Sequence, residues 1–400
     1  MRTLAVAVLL SLTSAARAGD GTDYTAEAQT MFRVAACGGE SAIPKRFAAR
    51  AIDAHCARMK WIYDDYRKTW VDKARPYIAK LRSADVPGVV VYPFGGGDLS
   101  SALTVFPDAT ELTTLSLEAP GDIRSIDTID GKRLAVELKS ISTDIRRLYG
   151  EAYSTTQSLM AASHSELPGT IMFAFAGLAV HDMEPVQLRY FELEQDGSIR
   201  YLTGKELDER AKAIAQKGSK KKHSMHFWYE QTSAFANVEI QFRRRGDVNA
   251  PVRTYRHILA NLDNAHNKAD GRVIAHLAAK GKVAVMTKAA SFLLWWNDFS
   301  AVRDYLLGHA AWMISDASGV PPRYAEPAGF EQLTFGDFTG PYFIQDPIGA
   351  RKEFVKLWAD QEHRELPFRF GYPDQDKHNH MMVMRPRPNG QPRDARAAAP

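Results

Sequence analysis

The stretch Val89–Asp122, VVVYPFGGGDLSSALTVFPDATELTTLSLEAPGD, constrains the fold more than any other part of the chain. Val89–Tyr92 reads as a buried strand. Gly95, Gly96 and Gly97 follow as a turn, and their missing side chains allow positive φ and close approach of a neighbour. Leu99–Val105 fits a short helix, and Leu112–Leu117 a second strand that ends on Glu118. Strand, glycine turn, helix and strand with a terminal acid is the plan of a ligand-binding α/β crossover. The two strands should be parallel neighbours, because a helix of crossover length joins them. The turn is not G-x-G-x-x-G, so it does not specify a dinucleotide.

The ends of the chain bound where it works. Met1–Ala18 has the form of an export signal, with Arg2, the apolar run Leu4–Leu12 and the A-x-A site Ala16-Arg17-Ala18. That run is far short of the ~20 residues that span a bilayer, and no later run is long and apolar enough to do so. An exported protein, periplasmic or extracellular, with no transmembrane segment in the mature chain is expected. Lys and Arg number 51 against 47 Asp and Glu, and removing Arg2 and Arg17 leaves 49 against 47. A near-neutral chain offers nucleic acid no bulk attraction. In an oxidising compartment the isolated pair Cys37 and Cys56 is expected to form a disulfide, with two buried thiols as the alternative.

The expected organisation is a signal over 1–18, a helical N-terminal cap over 19–86, an α/β domain over 87–388 and a disordered tail over 389–400. In the cap, Phe47–Trp70 carries Ile52, Cys56, Met59 and Tyr63 on one helical stripe, and Trp70–Arg82 continues it with a break near Pro76. Leu134–Met160 keeps a helical rhythm. The uninterrupted apolar run Ile171–Val180 reads as a buried strand. Val186–Leu193 with Ser198–Leu202, and Val238–Arg244 with Val252–Asn261, read as antiparallel pairs. Thr203–Glu206 is a capping box. Val283–Thr287 reads as a short buried strand, Ser300–Ile314 as a helix closed by Asp316–Gly319, and Phe354–His363 as a late helix. Pro367–Tyr372 and Met381–Arg385 read as a closing hairpin. The fold class is α/β: a mixed, twisted central sheet with helices on both faces, Rossmann-like, under a helical cap. The order of elements is reminiscent of class I methyltransferases at the level of fold.

No strong catalytic motif is present: G-x-S-x-G, H-E-x-x-H and the P-loop are absent. The glycine turn Gly95–Gly97, with Tyr92 and Asp98 beside it and Glu118 on the next strand, is one candidate ligand edge. Lys288, Ser291 and Arg303, in KAASFLLWWNDFSAVR, form another. Lys288 leaves an apolar strand, where burial would depress its pKa, and Ser291 follows one turn later, so a Lys/Ser catalytic pair is conceivable. Arg303 would clamp an anion or pair with Asp298 or Asp304. His181-Asp182-Met183-Glu184 and His378-Asn379-His380 offer metal-ligand types, but neither supplies a full set, and exposed turns are the plainer reading. The basic loop Lys217–His223 reads as a solvated tip. No motif names a cofactor or a metal, and neither a reaction nor an oligomeric state follows from the residues.

YPFGGGDLSSALTVFPDATELTTLSLEAPGD resembles a segment reading roughly YPFSGPDFLYA-x-x-FFP-x-A-x-x-Y-x-L-x-GLEPVG in a broad set of exported or hypothetical bacterial proteins with no assigned activity. KAASFLLWWNDFSAVRDYLLGHAAWMISDASGVPPRY and PFRFGY are similar to later segments of the same set. The likeness runs from Tyr92 to Tyr372 and departs at Gly95, Gly97 and Ala119-Pro120. It implies that the glycine turn, Asp98, Glu118, Lys288, Ser291, Ser300, Arg303 and Asp316 belong to one shared design. The expectation is an exported α/β protein with a small-molecule pocket at the Gly95–Gly97/Glu118 edge, bordered by Lys288 and Arg303. The alternatives are an exported enzyme acting through Lys288 and Ser291, or a degenerate methyltransferase-like protein, although an exported chain meets little S-adenosylmethionine. A third is a structural or interaction protein without a pocket.

Overall fold

The structure is a computed structural model that describes residues 21–151, 166–217, 233–288, 290–316, 319–338, 350–370 and 379–387. The expected export signal (1–18), residues 152–160 of the expected helix Leu134–Met160, residues 218–223 and 371–372, His378 and the expected tail lie outside the described residues. Short single turns of helix are left unnumbered below.

The N-terminal cap comprises α1 (Thr25–Val34), α2 (Ala49–Tyr66) and α3 (Asp72–Ala79), and α2 runs into α3 through a π-turn at Arg67–Val71. The expected break at Pro76 does not occur, since Pro76 lies inside α3. Proline clashes with the carbonyl one turn earlier, and the wider π-turn ends where that clash would arise. A disulfide joins Cys37, just after α1, to Cys56 on α2. His55 and the Tyr63 hydroxyl bond the carbonyls of Ala35 and Ala36 at 2.8 and 3.0 Å, fastening the same segment.

Next come β1 (Val89–Pro93), α4 (Leu99–Val105), β2 (Glu111–Ser116), α5 (Gly131–Glu151) and α6 (Gly169–Val180). They are followed by β3 (Met183–Leu193), β4 (Ile199–Tyr201), α7 (Gly204–Lys217), β5 (Asn237–Arg244) and β6 (Arg253–Leu259). Then come α8 (Asn264–Ala269), α9 (Arg272–Ala278), β7 (Val283–Thr287), α10 (Ser300–His309) and β8 (Ala310–Ser315). β9 (Phe330–Gly336), α11 (Ala350–Ala359) and β10 (His380–Pro386) complete the described chain.

Ten strands form one sheet in the order β4-β3-β5-β6-β2-β1-β7-β8-β10-β9. β6, β2, β1, β7 and β8 are parallel. β5 runs antiparallel to β6, and β10 antiparallel to both β8 and β9. Strand side chains alternate between faces. Val90, Tyr92, Ala284, Met286, Trp312 and Ile314 therefore pack with the cap, α4, α5 and α6. Val91, Leu115, Val285 and Met313 pack with α9 and α10 through Leu277, Val302 and Leu306. The sheet is thus covered by helices on both faces. The capping box at α7 is present, with the Thr203 N–H and hydroxyl each donating to Glu206 at 2.8 Å. Among the described residues, no helix is long and apolar enough to cross a membrane.

Three expected elements differ. Ile171–Val180 belongs to helix α6 rather than to a strand. Every residue of α6 is buried, so its sequence has no polar face to reveal the helical period. The expected helix Ser300–Ile314 ends at His309, and Ala310–Ser315 is strand β8. Apolar residues on both faces of β8 continue the apolar stripe of α10, and Asp316 follows a strand instead of closing a helix. Finally, the described part of the expected hairpin strand Pro367–Tyr372, residues 367–370, does not pair with Met381–Arg385; β10 pairs with β8 and β9. Phe368 and Phe370 belong to the cap-side core, with Phe368 edge-on to Trp70 and Tyr77, so their aromatic content serves packing against helices.

Candidate functional site

Parallel pairing of β1 with β2 and β7 brings the ends Phe94–Asp98, Leu117-Glu118 and Lys288 to one edge of the sheet. β8 adds Asp316 there. This carboxyl edge is where open α/β sheets bind ligands.

The turn after β1 is tightly built. Phe94 has φ of 62° and Gly96 of 50°. Positive φ in a bulky residue such as Phe94 is a strained conformation that tends to cluster at functional sites. A Cβ on Gly95 would lie 2.6 Å from the Tyr92 ring, and one on Gly97 would lie 2.8 Å from the Thr170 carbonyl oxygen and 2.9 Å from Phe173 Cβ. The turn delivers Asp98 to the N-cap of α4. Asp98 Oδ1 accepts from the Ser101 N–H and the Ser100 hydroxyl, both at 3.1 Å, and Oδ2 accepts from the Tyr92 hydroxyl at 3.2 Å.

Lys288 is 6% exposed, at the end of β7 on the cap side. Its Nζ lies 5.3 Å from the ring centres of both Trp70 and Phe370, within cation–π range. Burial pushes its pKa down, against the opposing pull of Asp98 and Asp316. Ser291 donates to Asp316 Oδ1. The structure therefore brings Lys288, Ser291 and Asp316 into one cluster, with the serine hydroxyl directed at the carboxylate.

The cap closes this cluster with aromatics. Trp70, within the π-turn, donates its Nε1–H to the Arg369 carbonyl at 2.5 Å. Tyr66 stacks on Trp70 at 5.5 Å and on Tyr149 at 4.0 Å between ring centres. Between them lies a cavity of about 10 Å³ lined by Tyr66, Trp70, Asp98, Ser101, Tyr149 and Lys288, with Leu148 at its side. That is room for about one water molecule. Burial raises the pKa of Tyr66 and Tyr149, keeping both hydroxyls protonated.

Glu118 is 3% exposed. Its backbone is held by a residue that the sequence reading did not single out, His257 on β6. His257 Nε2 lies 2.7 Å from the Glu118 carbonyl oxygen, and Nδ1 lies 2.9 Å from Thr114 Oγ1 and 3.2 Å from the Gly96 carbonyl oxygen. Burial lowers its pKa to about 4. The neutral ring thus donates Nε2–H to Glu118 and accepts from Thr114. A lone histidine in the mixed strand RTYRHIL carries no sequence signal beyond an ordinary strand position.

Arg303 sits elsewhere. Its Nη1 donates to the carbonyls of Leu294 and Trp296 at 2.9 and 3.2 Å, and its guanidinium stacks 3.8 Å from the Tyr324 ring centre. Its neighbours Val302 and Leu306 belong to the core on the face away from the cap. His181 is a clamp: Arg75 Nη2 lies 2.7 Å from Nδ1, and Nε2 lies 2.9 Å from the Ser100 carbonyl oxygen. Burial pushes its pKa to about 3. Asp182 pairs with Arg245 at 2.7 Å and Glu184 with Arg243 at 3.1 Å. His380 packs its ring against Phe338 and Trp358. Among the described residues, no three His, Cys, Asp or Glu gather as metal ligands. No family model, curated protein or solved structure matches the chain.

Proposed function

We propose that this is an exported α/β protein whose small-molecule site lies between the helical cap and the carboxyl ends of β1, β7 and β8. The observation that carries this reading is Lys288, buried at 6% exposure among aromatic rings, with the carboxylates Asp98 and Asp316 acting on it. A buried lysine is expensive in stability, and perturbed charged groups at such an edge are a recurring mark of ligand sites. The π-turn that seats Trp70 and the strained Phe94 add support, since both features recur at functional sites. The Cys37–Cys56 disulfide and the N-terminal signal sequence support export. In this reading Lys288 holds or activates the ligand, Asp98 and Asp316 set its charge, and Tyr66, Trp70 and Tyr149 form the wall. The shared design implied by the resemblance to exported bacterial proteins includes the same Asp98, Lys288, Ser291 and Asp316.

Two other readings each rest on one observation. The strand run β6-β2-β1-β7-β8-β10-β9, with β10 reversed between its neighbours, favours a degenerate methyltransferase-like ancestry. The small volume of the cavity favours a structural keystone. Lys288→Met separates the site from the keystone. Lys288→Met alone takes a partner from Asp98 and Asp316, so its stability is compared in an Asp98→Asn background, where a site residue replaced by an apolar isostere leaves the protein as stable or more so. Native mass spectrometry of the exported protein should then show a co-purifying ligand that Lys288→Met loses. A variant that unfolds more easily and a wild type that carries no ligand would favour the keystone.

A further inference from the structure

We infer that the crevice between the carboxyl ends of β1 and β2, where an open α/β sheet takes a nucleotide, is a packing seam in this protein and is closed to nucleotides. A glycine-rich turn cradles phosphates by leaving backbone N–H groups free and by letting the ligand approach where side chains are missing. Here much of both resources is engaged by the protein itself. The Gly95 N–H donates to the carbonyls of Tyr92 and Leu115 at 3.2 and 3.1 Å. The Asp98 N–H donates to Gly95 at 3.0 Å, the Leu99 N–H to Gly97 at 2.7 Å, and the Ser101 N–H to the Asp98 carboxylate at 3.1 Å.

The space left by the glycines is also filled. The Tyr92 ring lies over Gly95, and the first turn of α6 lies over Gly97. The contact is reciprocal, because a Cβ on Gly177 of α6 would lie 2.8 Å from the Ser100 nitrogen. All three glycines of the turn are buried, and so is the acid on the next strand, Glu118. His257 sits between the two loops: its Nε2–H donates to the Glu118 carbonyl, Nδ1 accepts from Thr114, and the ring packs against the Gly96 carbonyl. In a nucleotide site Glu118 would instead face ribose hydroxyls. These residues do not fit the S-adenosylmethionine that a methyltransferase-like fold implies. Recognition is left to the β7 side of Asp98, around Lys288, and that last step rests on the proposed function; the closure of the crevice does not.

The test uses the mature protein in thermal melts with S-adenosylmethionine, NAD or ATP, each at about 1 mM. A ligand present at roughly 100 times its dissociation constant raises the midpoint by several degrees. No rise beyond about one degree is expected; a rise of several degrees with any of the three overturns the inference. A second measurement reads the seam directly. Gly97→Ala should lower the midpoint by several degrees or prevent folding, through forced contact with α6. Gly150→Ala, on an exposed helix position with no atom of the described residues within 4 Å of the added methyl, should leave it unchanged or raised. A Gly97→Ala protein that melts like wild type also overturns the seam. Neither measurement involves Lys288, so failure here leaves the ligand site to be judged by its own test.

Discussion

Asp98→Asn probes the charge cluster without disturbing the helix that Asp98 caps. Asparagine caps as well as aspartate, so the bond from the Ser101 N–H survives; the charge is removed, and the amide NH2 in place of Oδ2 donates to the Tyr92 hydroxyl instead of accepting from it. Removing one partner of a buried ion pair costs roughly 3–5 kcal/mol. Asp316 still faces Lys288 here, and part of the Asp98 side chain reaches solvent, so about 2 kcal/mol is the expected loss at neutral pH. Asp98→Ala should lose about 1 kcal/mol more, the worth of the cap. In a Lys288→Met background the cost of Asp98→Asn should fall close to zero, because the charge it served is gone. Alkaline pH supplies the second axis. Burial lowers the folded-state pKa of Lys288, so between that value and the ordinary lysine value near 10.5 the unfolded chain binds the extra proton. Stability therefore rises with pH across that window, and Lys288→Met removes the rise. Urea unfolding of the wild type, Asp98→Asn, Asp98→Ala, Lys288→Met and the Asp98→Asn/Lys288→Met double variant from pH 7 to 10.5 measures all of this. An Asp98→Asn cost that is the same with and without Lys288 would refute coupling between the two groups.

Replacing Cys37 and Cys56 by serine frees a loop with a sequence separation of 19, worth about 3 kcal/mol in the chain-entropy account. Equilibrium unfolding measures it, and two thiols that alkylate freely before reduction would show that no bond was there to lose. Acid should weaken the fold below pH 6.5. His257 and His276, both buried, have pKa values lowered to about 4, chiefly by burial. They are neutral in the fold and protonated when unfolded, so stability is lost as pH falls from 6.5 to about 4, by roughly 3 kcal/mol for each at most. His257→Gln should flatten part of that acid slope, and a slope unchanged by the substitution would rule His257 out as a contributor. Glu239 is 2% exposed and is held by Arg189, Arg256 and the Tyr201 hydroxyl, at 2.8–2.9 Å. Glu239→Ala should destabilise by about 3 kcal/mol, since it takes the carboxylate from Arg189 and one of two from Arg256, which keeps Glu111 at 2.8 Å. A loss under 1 kcal/mol would show that they find other partners.

Local chemistry was legible wherever one element carried its own signal. The helix Leu99–Val105 has its expected bounds because Asp98 caps it and Phe106-Pro107 ends it. The parallel pairing of β1 with β2 followed from crossover length, whereas the residues left the direction of β7 open, and it lies parallel to β1. Illegibility arose where burial is uniform. α6 is enclosed on every side, so its run of Phe, Ala and Leu shows neither the helical nor the strand period. β9, FEQLTFG, escaped notice because Glu331 and Thr334 interrupt its apolar residues without a clean alternation. The site divides in the same way. Asp98 and Lys288 stand at strand ends, where position alone suggests convergence. Tyr66, Trp70, Tyr149 and Phe370 reach them from distant segments, and no spacing rule connects a cap helix to the end of β7.

Strand parity explains why Lys288 and Arg303, adjacent in the sequence reading, serve different faces. On β7, Val283 and Val285 enter the core away from the cap, while Ala284 and Met286 enter the cap-side core. Extending that alternation two residues beyond Met286 sends Lys288 toward the cap, on the same side as Val90 and Tyr92. The chain then turns through Ala290–Trp295 and returns beneath the sheet as α10, so Arg303 meets Leu294, Trp296 and Tyr324 instead. A register slip of one residue in β7 would exchange the faces, placing Thr287 under the aromatic wall and Lys288 in the apolar core opposite. Such a slip would bury the lysine away from Trp70, Phe370 and Asp98 together. The pairings Val90 with Ala284 and Val91 with Val285 thus fix the cluster as firmly as any side-chain contact within it.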